Sequence, residues 1–198
     1  MTSHQGATSL AYSRRAQSRL FTERVFVGHA IDIGSGPDAL KTDPAFPLLK
    51  TIREWDQTQG DATYMDGVPG ESFDLVYSSH CLEHIERDLG ALCAWWNLVK
   101  VGGHLCLVVP DEGLYERFRW PPRYNSDHKH SYSTGIGCHL LHMTESVGMD
   151  TLTRKCHGGR LISLVRLEDG FDDNSFRDQT ADGTCECGIE LVIRKERA

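Results

Sequence analysis

Apolar positions along the chain change rhythm several times, and each change marks a different element. From about residue 8 to 25, Leu10, Tyr12, Leu20, Phe21, Val25 and Phe26 are spaced among Arg and Ser, which predicts a leading helical segment within residues 1–27. His29 to Gly34 is a short apolar run closed by Gly-Ser-Gly-Pro, the pattern of a buried strand entering a tight turn. Three Pro and two Asp between residues 37 and 50 break any long helix there, so a short or irregular segment is expected.

Thr51 to Trp55 predicts a short second strand ending at Asp56, and Phe73 to Ser79 a third. Between Asp88 and Lys100, Leu89, Leu92, Trp95, Trp96 and Val99 fall at helical spacing. Gly102-Gly103 is expected to stop that helix ahead of a strand from His104 to Val109. Residues 112–133 mix Tyr115, Phe118, Trp120, Pro121, Pro122 and Tyr124 with Arg and no regular period, which predicts a long loop or lid. Beyond it the pattern gives a helix over about 134–147 and strands at 151–155, 161–167 and 187–194, two of them an antiparallel pair closing the sheet. Strand, helix and strand joined by Gly turns predict a parallel sheet with right-handed crossovers.

A chain of 198 residues buries one good core and is too short for two ordinary domains, so a single domain over 1–198 is expected. Within it, residues 28–111 form a ligand-binding half, 112–133 the substrate loop or lid, and 134–198 the closing helix and strands. The formal charge of -7 repels phosphate backbones and anionic membranes, which argues against a nucleic-acid or membrane partner. Arg14, Arg15, Arg19 and Arg24 recur at near-helical spacing, which makes either a local basic patch or, more commonly, a solvated helix face. The polar start MTSHQGATS, and seven Cys scattered without C-x-x-C pairs, fit a reducing, cytoplasmic setting. A monomer and a homodimer are both compatible with the sequence.

The candidate chemistry begins at Asp32-Ile33-Gly34-Ser35-Gly36. A glycine bend after the first strand of an open α/β sheet lets backbone approach a ligand at the carboxyl ends of the strands. Gly34-x-Gly36-x-x-Ala39 also satisfies a dinucleotide fingerprint, but a carboxylate two residues before the first Gly repels a pyrophosphate and suits a cationic ligand. Asp56 lies about where an acidic side chain accepts both hydroxyls of a ribose. Gly60-Asp61-Ala62 and the run Ser72 to Ile85 follow.

Taken in order, Asp-Ile-Gly-Ser-Gly, Gly-Asp-Ala, Phe-Asp-Leu-Val-Tyr-Ser-Ser-His-x-Leu-Glu-His and Val-Gly-Gly-His-Leu ahead of Val-Pro-Asp resemble the class I S-adenosylmethionine-dependent methyltransferases of the type 11 group. The resemblance implies a Rossmann-like three-layer α/β sandwich with a mostly parallel seven-stranded sheet and an antiparallel terminal strand. It also implies S-adenosylmethionine as cofactor, leaving as S-adenosylhomocysteine. In such enzymes the turn at Asp32, Gly34, Ser35 and Gly36 holds the methionine part, Asp56 the ribose, and Asp61 with Ala62 the adenine. Ser79 and His80 line the floor near the sulfonium.

The acceptor is read as a small polar molecule, methylated on oxygen or nitrogen. Trp120, Arg123, Tyr124 and Asp127 suit a sugar or hydroxylated acid by stacking and paired hydrogen bonds. If a general base is used, His80, His128 and His130 are the candidates. No metal is expected, although His80, Glu83 and His84 resemble the Glu-x-x-Glu-His of some ubiquinone-type O-methyltransferases that hold a divalent ion. The rival readings are a module that binds S-adenosylmethionine without turnover and a nicotinamide-dependent oxidoreductase.

Overall fold

The computed structural model describes residues 6–135 and 146–197. Helix α1 (Ala7–Ala16) is followed by a wider helical turn at Phe21–Val25 and then by strand β1 (Gly28–Ile33). A single 3-10 turn at Gly36–Asp38 replaces a long helix, as the prolines require, and leads to β2 (Leu49–Trp55). Strand β3 (Phe73–Ser79), helix α2 (Asp88–Leu98) and strand β4 (Val99–Pro110) complete the parallel part. Short strands β5 (Ser131–Ser133) and β6 (Ser146–Gly148), helix α3 (Met149–Lys155) and the strands β7 (Gly159–Leu167) and β8 (Gly188–Lys195) follow.

The main sheet has the order β2-β1-β3-β4-β8-β7, with β8 antiparallel to both β4 and β7. It holds six strands among the described residues where seven were expected, and β5 and β6 pair separately. Side chains of a strand alternate between faces, and the two faces bury different sets. Ile31, Ile33, Leu105, Leu107, Ile189 and Leu191 face α2 and α3, where Leu92, Trp95 and Leu152 meet them. Ala30, Leu75, Tyr77 and Cys106 face Phe21, Phe26 and Phe46 of the N-terminal segment and the β1–β2 connection. The layers are therefore helix, sheet and helix, and each fully buried Leu or Ile contributes about 1.5 to 3 kcal/mol.

Three expectations are corrected. Helix α2 ends at Leu98, and Gly102-Gly103 lie inside β4 instead of stopping the helix. There Phe73 pairs with Val99 and Leu75 with His104, so β4 bulges outward; Gly102 has φ +86, and a Cβ on Gly103 would stand 2.8 Å from the Asp74 carbonyl. Residues 151–155 belong to α3, not to a strand: Met149 and Leu152 bury one side of the turn, and Arg154 pairs with Asp150 across it at 2.5 Å. Arg14 and Arg15 do not form a solvated face. Arg15 is 1% exposed, and it and Arg14 reach Glu190 at 2.8 and 2.7 Å. Most of the helix expected over 134–147 falls on residues 136–145, outside the described residues, while Ser146–Gly148 is strand β6.

Candidate functional site

Strand order reverses at β1, which has β2 on one side and β3 on the other, and this leaves a crevice beyond the carboxyl ends of the parallel strands. The crevice is a cleft of about 880 Å³. Gly34 opens it with φ +75, and its N–H donates to the Trp55 carbonyl at 2.8 Å. A Cβ there would lie 2.4 Å from that of Cys81, so both the backbone angle and the packing demand glycine. Gly36, φ +50, faces open space.

Strand alternation turns Asp32 away from the cleft. Ile31 and Ile33 face α2, so Asp32 points with Ala30 toward the N-terminal layer, where it is 2% exposed and its Oδ2 accepts the Leu40 N–H at 2.7 Å. Burial pushes its carboxyl up to about 7, against the Leu40 hydrogen bond and with help from the charge on Glu54. The side chain expected to meet the ligand's cationic end instead braces the chain after the turn.

The far wall is built by the β2 tip and the loop behind it. Asp56 lines the cleft; its N–H donates to Gln59 Oε1 and its Oδ1 accepts the Gln57 N–H, both at 2.8 Å. Asp61 accepts the Thr63 N–H at 2.7 Å, and that bond holds its carboxyl below the ordinary value. Trp95 of α2 donates its indole N–H to the Ala62 carbonyl at 2.8 Å, fixing the loop to the core. Trp55 lies in the wall with its indole nitrogen buried and unpaired, the Arg53 guanidinium 5.1 Å from its ring and the Gly60 backbone against its edge.

His80 forms the floor at the β3 tip. Its φ is +53, an uncommon angle for a residue other than glycine, and its N–H is tied to the Val108 carbonyl at 3.0 Å. Cys81 beside it is no nucleophile, since burial and then the charge on Glu83 push its thiol up to about 12. Through His80 and His84 the cleft adjoins a second pocket of about 250 Å³, lined also by Glu83, Tyr115, Asn125 and His128 and by the start of α1.

Of the residues singled out in the sequence, the cleft gathers Gly34, Asp56, Asp61, Ala62, His80 and Asp127. Asp32, Ser35, Gly36 and Ser79 stand behind or beside it, outside its lining. His128 lies in the second pocket, with Nδ1 2.7 Å from Glu116 Oε1. His130 lines neither space: its Nε2–H donates to the Ile85 carbonyl at 3.1 Å. Trp120 and Arg123 line a separate surface hollow, and Tyr124 packs edge-on against Tyr115 and hydrogen-bonds the Phe176 carbonyl, so the four proposed substrate contacts do not converge. Sequence reasoning missed Trp55, Tyr64, Ile85 and Glu116. The only signal for Trp55 was an aromatic side chain next to Asp56 at a strand tip, and Glu116 carried none.

Residues 30–107 match the methyltransferase domain family. No curated sequence relative matches the chain. Among solved structures, a Bacillus halodurans protein provisionally assigned as a methyltransferase superposes with a TM-score of 0.59 at 16% identity, over 93% of this chain and 98% of that one. The S-adenosylmethionine-dependent methyltransferase of Thermotoga maritima gives 0.54 at 15%, over 96% and 91%. The 1,6-didemethyltoxoflavin N1-methyltransferase of Burkholderia thailandensis, whose structure holds 1,6-didemethyltoxoflavin and S-adenosylhomocysteine, gives 0.52 at 14%, over 98% and 80%. These likenesses establish the fold. No helix among the described residues is long and apolar enough to cross a membrane.

Proposed function

We propose that this chain, a methyltransferase with its family domain across residues 30–107 and S-adenosylmethionine as donor, methylates an oxygen or nitrogen of a small polar molecule seated in the second pocket. The observation that carries this reading is the adjoining of two spaces at His80 and His84, one large enough for the donor and one for a compact acceptor.

In this reading Asp56 accepts the ribose hydroxyls, Asp61 and Ala62 with Trp55 flank the adenine, and the Gly34 bend takes the methionine part. Asp32 acts from behind by bracing the turn. S-adenosylmethionine supplies an electrophilic methyl group on a cationic sulfur. The chain's own work is alignment and exclusion of water. The acceptor's X–H bond breaks as the methyl–X bond forms and the methyl–sulfur bond is lost. The proton passes to an imidazole, for which His80 is placed, lining both spaces, and His130 is not, since it lines neither. Hydroxylated and amine-bearing metabolites are the acceptor class that fits a pocket lined by His, Glu, Tyr and Asn.

Calorimetric titration of the purified chain with S-adenosylhomocysteine and with NAD tests the reading. S-adenosylhomocysteine binding that falls ten- to a hundred-fold in Asp56→Ala is the expected result, from the loss of charge-assisted hydrogen bonds of about 1.5 to 3 kcal/mol. Binding of NAD with none of the homocysteine compound overturns it. If no hydroxylated or amine acceptor in a metabolite panel releases S-adenosylhomocysteine, the small-molecule acceptor is wrong even where the donor binds.

A further inference from the structure

We infer that Glu83, His84 and His128 form a binding site for a divalent transition-metal ion in the wall between the donor cleft and the second pocket. Each offers one ligand atom, and the three atoms lie within 4.8 Å of one another. Ligand atoms of a tetrahedral shell with bonds of about 2.1 Å stand roughly 3.4 Å apart, so small side-chain rotations close the site.

Two independent features point to a cation there. The first is Glu83 itself, which is 0% exposed and has neither carboxylate oxygen in a hydrogen bond. His80 Nδ1 stands 3.3 Å from Oε1, an ion-pair contact too poorly aligned to count as one. A buried carboxylate without a donor is costly, and a metal ion bound between it and the two imidazoles removes that cost. The second is the way both histidines are held. His84 Nδ1 is 2.9 Å from Asp127 Oδ2, and His128 Nδ1 is 2.7 Å from Glu116 Oε1. A carboxylate on one ring nitrogen fixes the tautomer that leaves Nε2 as a lone-pair donor, which is the arrangement behind metal-bound histidines. Two such histidines meet here, their rings 4.9 Å apart and edge-on.

Two imidazoles and one carboxylate suit zinc, iron or cobalt and not magnesium, which prefers an all-oxygen shell. Three protein ligands leave a position open, and His80 and Tyr115 line the same pocket. An acceptor hydroxyl taking that position would be polarised and made more acidic within reach of the donor cleft. This role rests on the methyltransferase reading; the site itself does not.

The test strips the full chain with chelator and titrates Co2+, followed by its visible d–d absorption, and Zn2+, followed by calorimetry. One equivalent of each is expected, with 1 mM Mg2+ unable to displace either. Glu83→Gln and His128→Ala should each weaken binding by more than tenfold, and Glu116→Gln or Asp127→Asn by about tenfold. His130→Ala should leave it unchanged. Melting curves and S-adenosylhomocysteine titration confirm that each variant is folded. Wild-type binding no tighter than that of the His84→Ala/His128→Ala double variant overturns the inference and leaves a hydrogen-bonded network only. S-adenosylhomocysteine bound without metal sinks this inference alone; metal bound without S-adenosylhomocysteine sinks the functional reading alone.

Discussion

Under the N-terminal helix, Arg15 and Glu190 are each 1% exposed and bonded to one another, and the guanidinium also donates to the Tyr77 hydroxyl at 2.9 Å. Arg14 closes the group by bridging Glu190 and Glu186. Across the sheet's carboxyl edge, Glu83 is as deeply buried, yet neither of its oxygens accepts a hydrogen bond, and Glu116 Oε2 beside it is likewise unpaired. Burial raises the pKa of both Glu190 and Glu83, and nearby positive charge outweighs it in each case, from Arg15 and Arg14 for one and from His80, His128 and His84 for the other. The counter-charge differs in kind. Arginine is a permanent cation that also donates several hydrogen bonds, and Glu190 receives them, whereas no imidazole donates a hydrogen bond to Glu83. A permanently matched group fastens one element to another; a group whose oxygens are left without donors has capacity to hold something else.

The comparison breaks first at Arg15. Arg15→Ala leaves Glu190 buried without its main partner and should cost about 3 to 5 kcal/mol, read as a lower urea midpoint. The double variant Arg15→Met with Glu190→Leu should recover most of the loss, since a buried pair replaced together by apolar groups is often neutral. No recovery would mean that the network stabilises beyond its charges.

Asp32 comes next, as a buried carboxylate whose surroundings disfavour its charge. Its folded value of about 7 exceeds the ordinary 3.8, so the folded chain holds a proton that the unfolded chain has released. Stability therefore falls as pH rises from about 4 to about 7 and is level above that. Asp32→Asn should raise the melting temperature at pH 8, by an amount equivalent to about 4 kcal/mol at most, and change little at pH 4. Equal effects at both pH values would show that the carboxyl is neutral or charged throughout.

The smallest effect on stability belongs to Glu83. Neither of its oxygens accepts a hydrogen bond, so Glu83→Gln breaks none and should shift unfolding by about 1 kcal/mol or less. A loss on the scale of Arg15→Ala would make Glu83 a structural residue and erase the contrast.

Several parts of the fold and site were legible along the chain. Strands at 28–33, 49–55 and 73–79, the bend at Gly34, the acidic tip at Asp56 and Asp61 in the loop behind it each follow from a local pattern that also fixes their place in the crevice. Trp120, Arg123 and Tyr124 looked like one substrate surface and do stay near one another, with the Arg123 guanidinium 5.5 Å from the Tyr124 ring, but the loop folds them outside the lining of the cleft that Asp127 reaches. The window 151–155 is too short for its periodicity to separate helix from strand. Arg14 and Arg15 read as solvated because their acceptors, Glu186 and Glu190, arrive from the far end of the chain.

The sequence by itself determined that β1 ends in a glycine bend with an acidic residue, Asp56, at the tip of the neighbouring strand, because those features depend on local backbone angle and alternation. Tertiary structure alone decided which way Asp32 points relative to the cleft, and that His128 and Glu116 meet Glu83 and His84. The reason is physical: sheet register and loop closure bring together residues far apart in the chain, and nothing in the local pattern of either segment encodes the other.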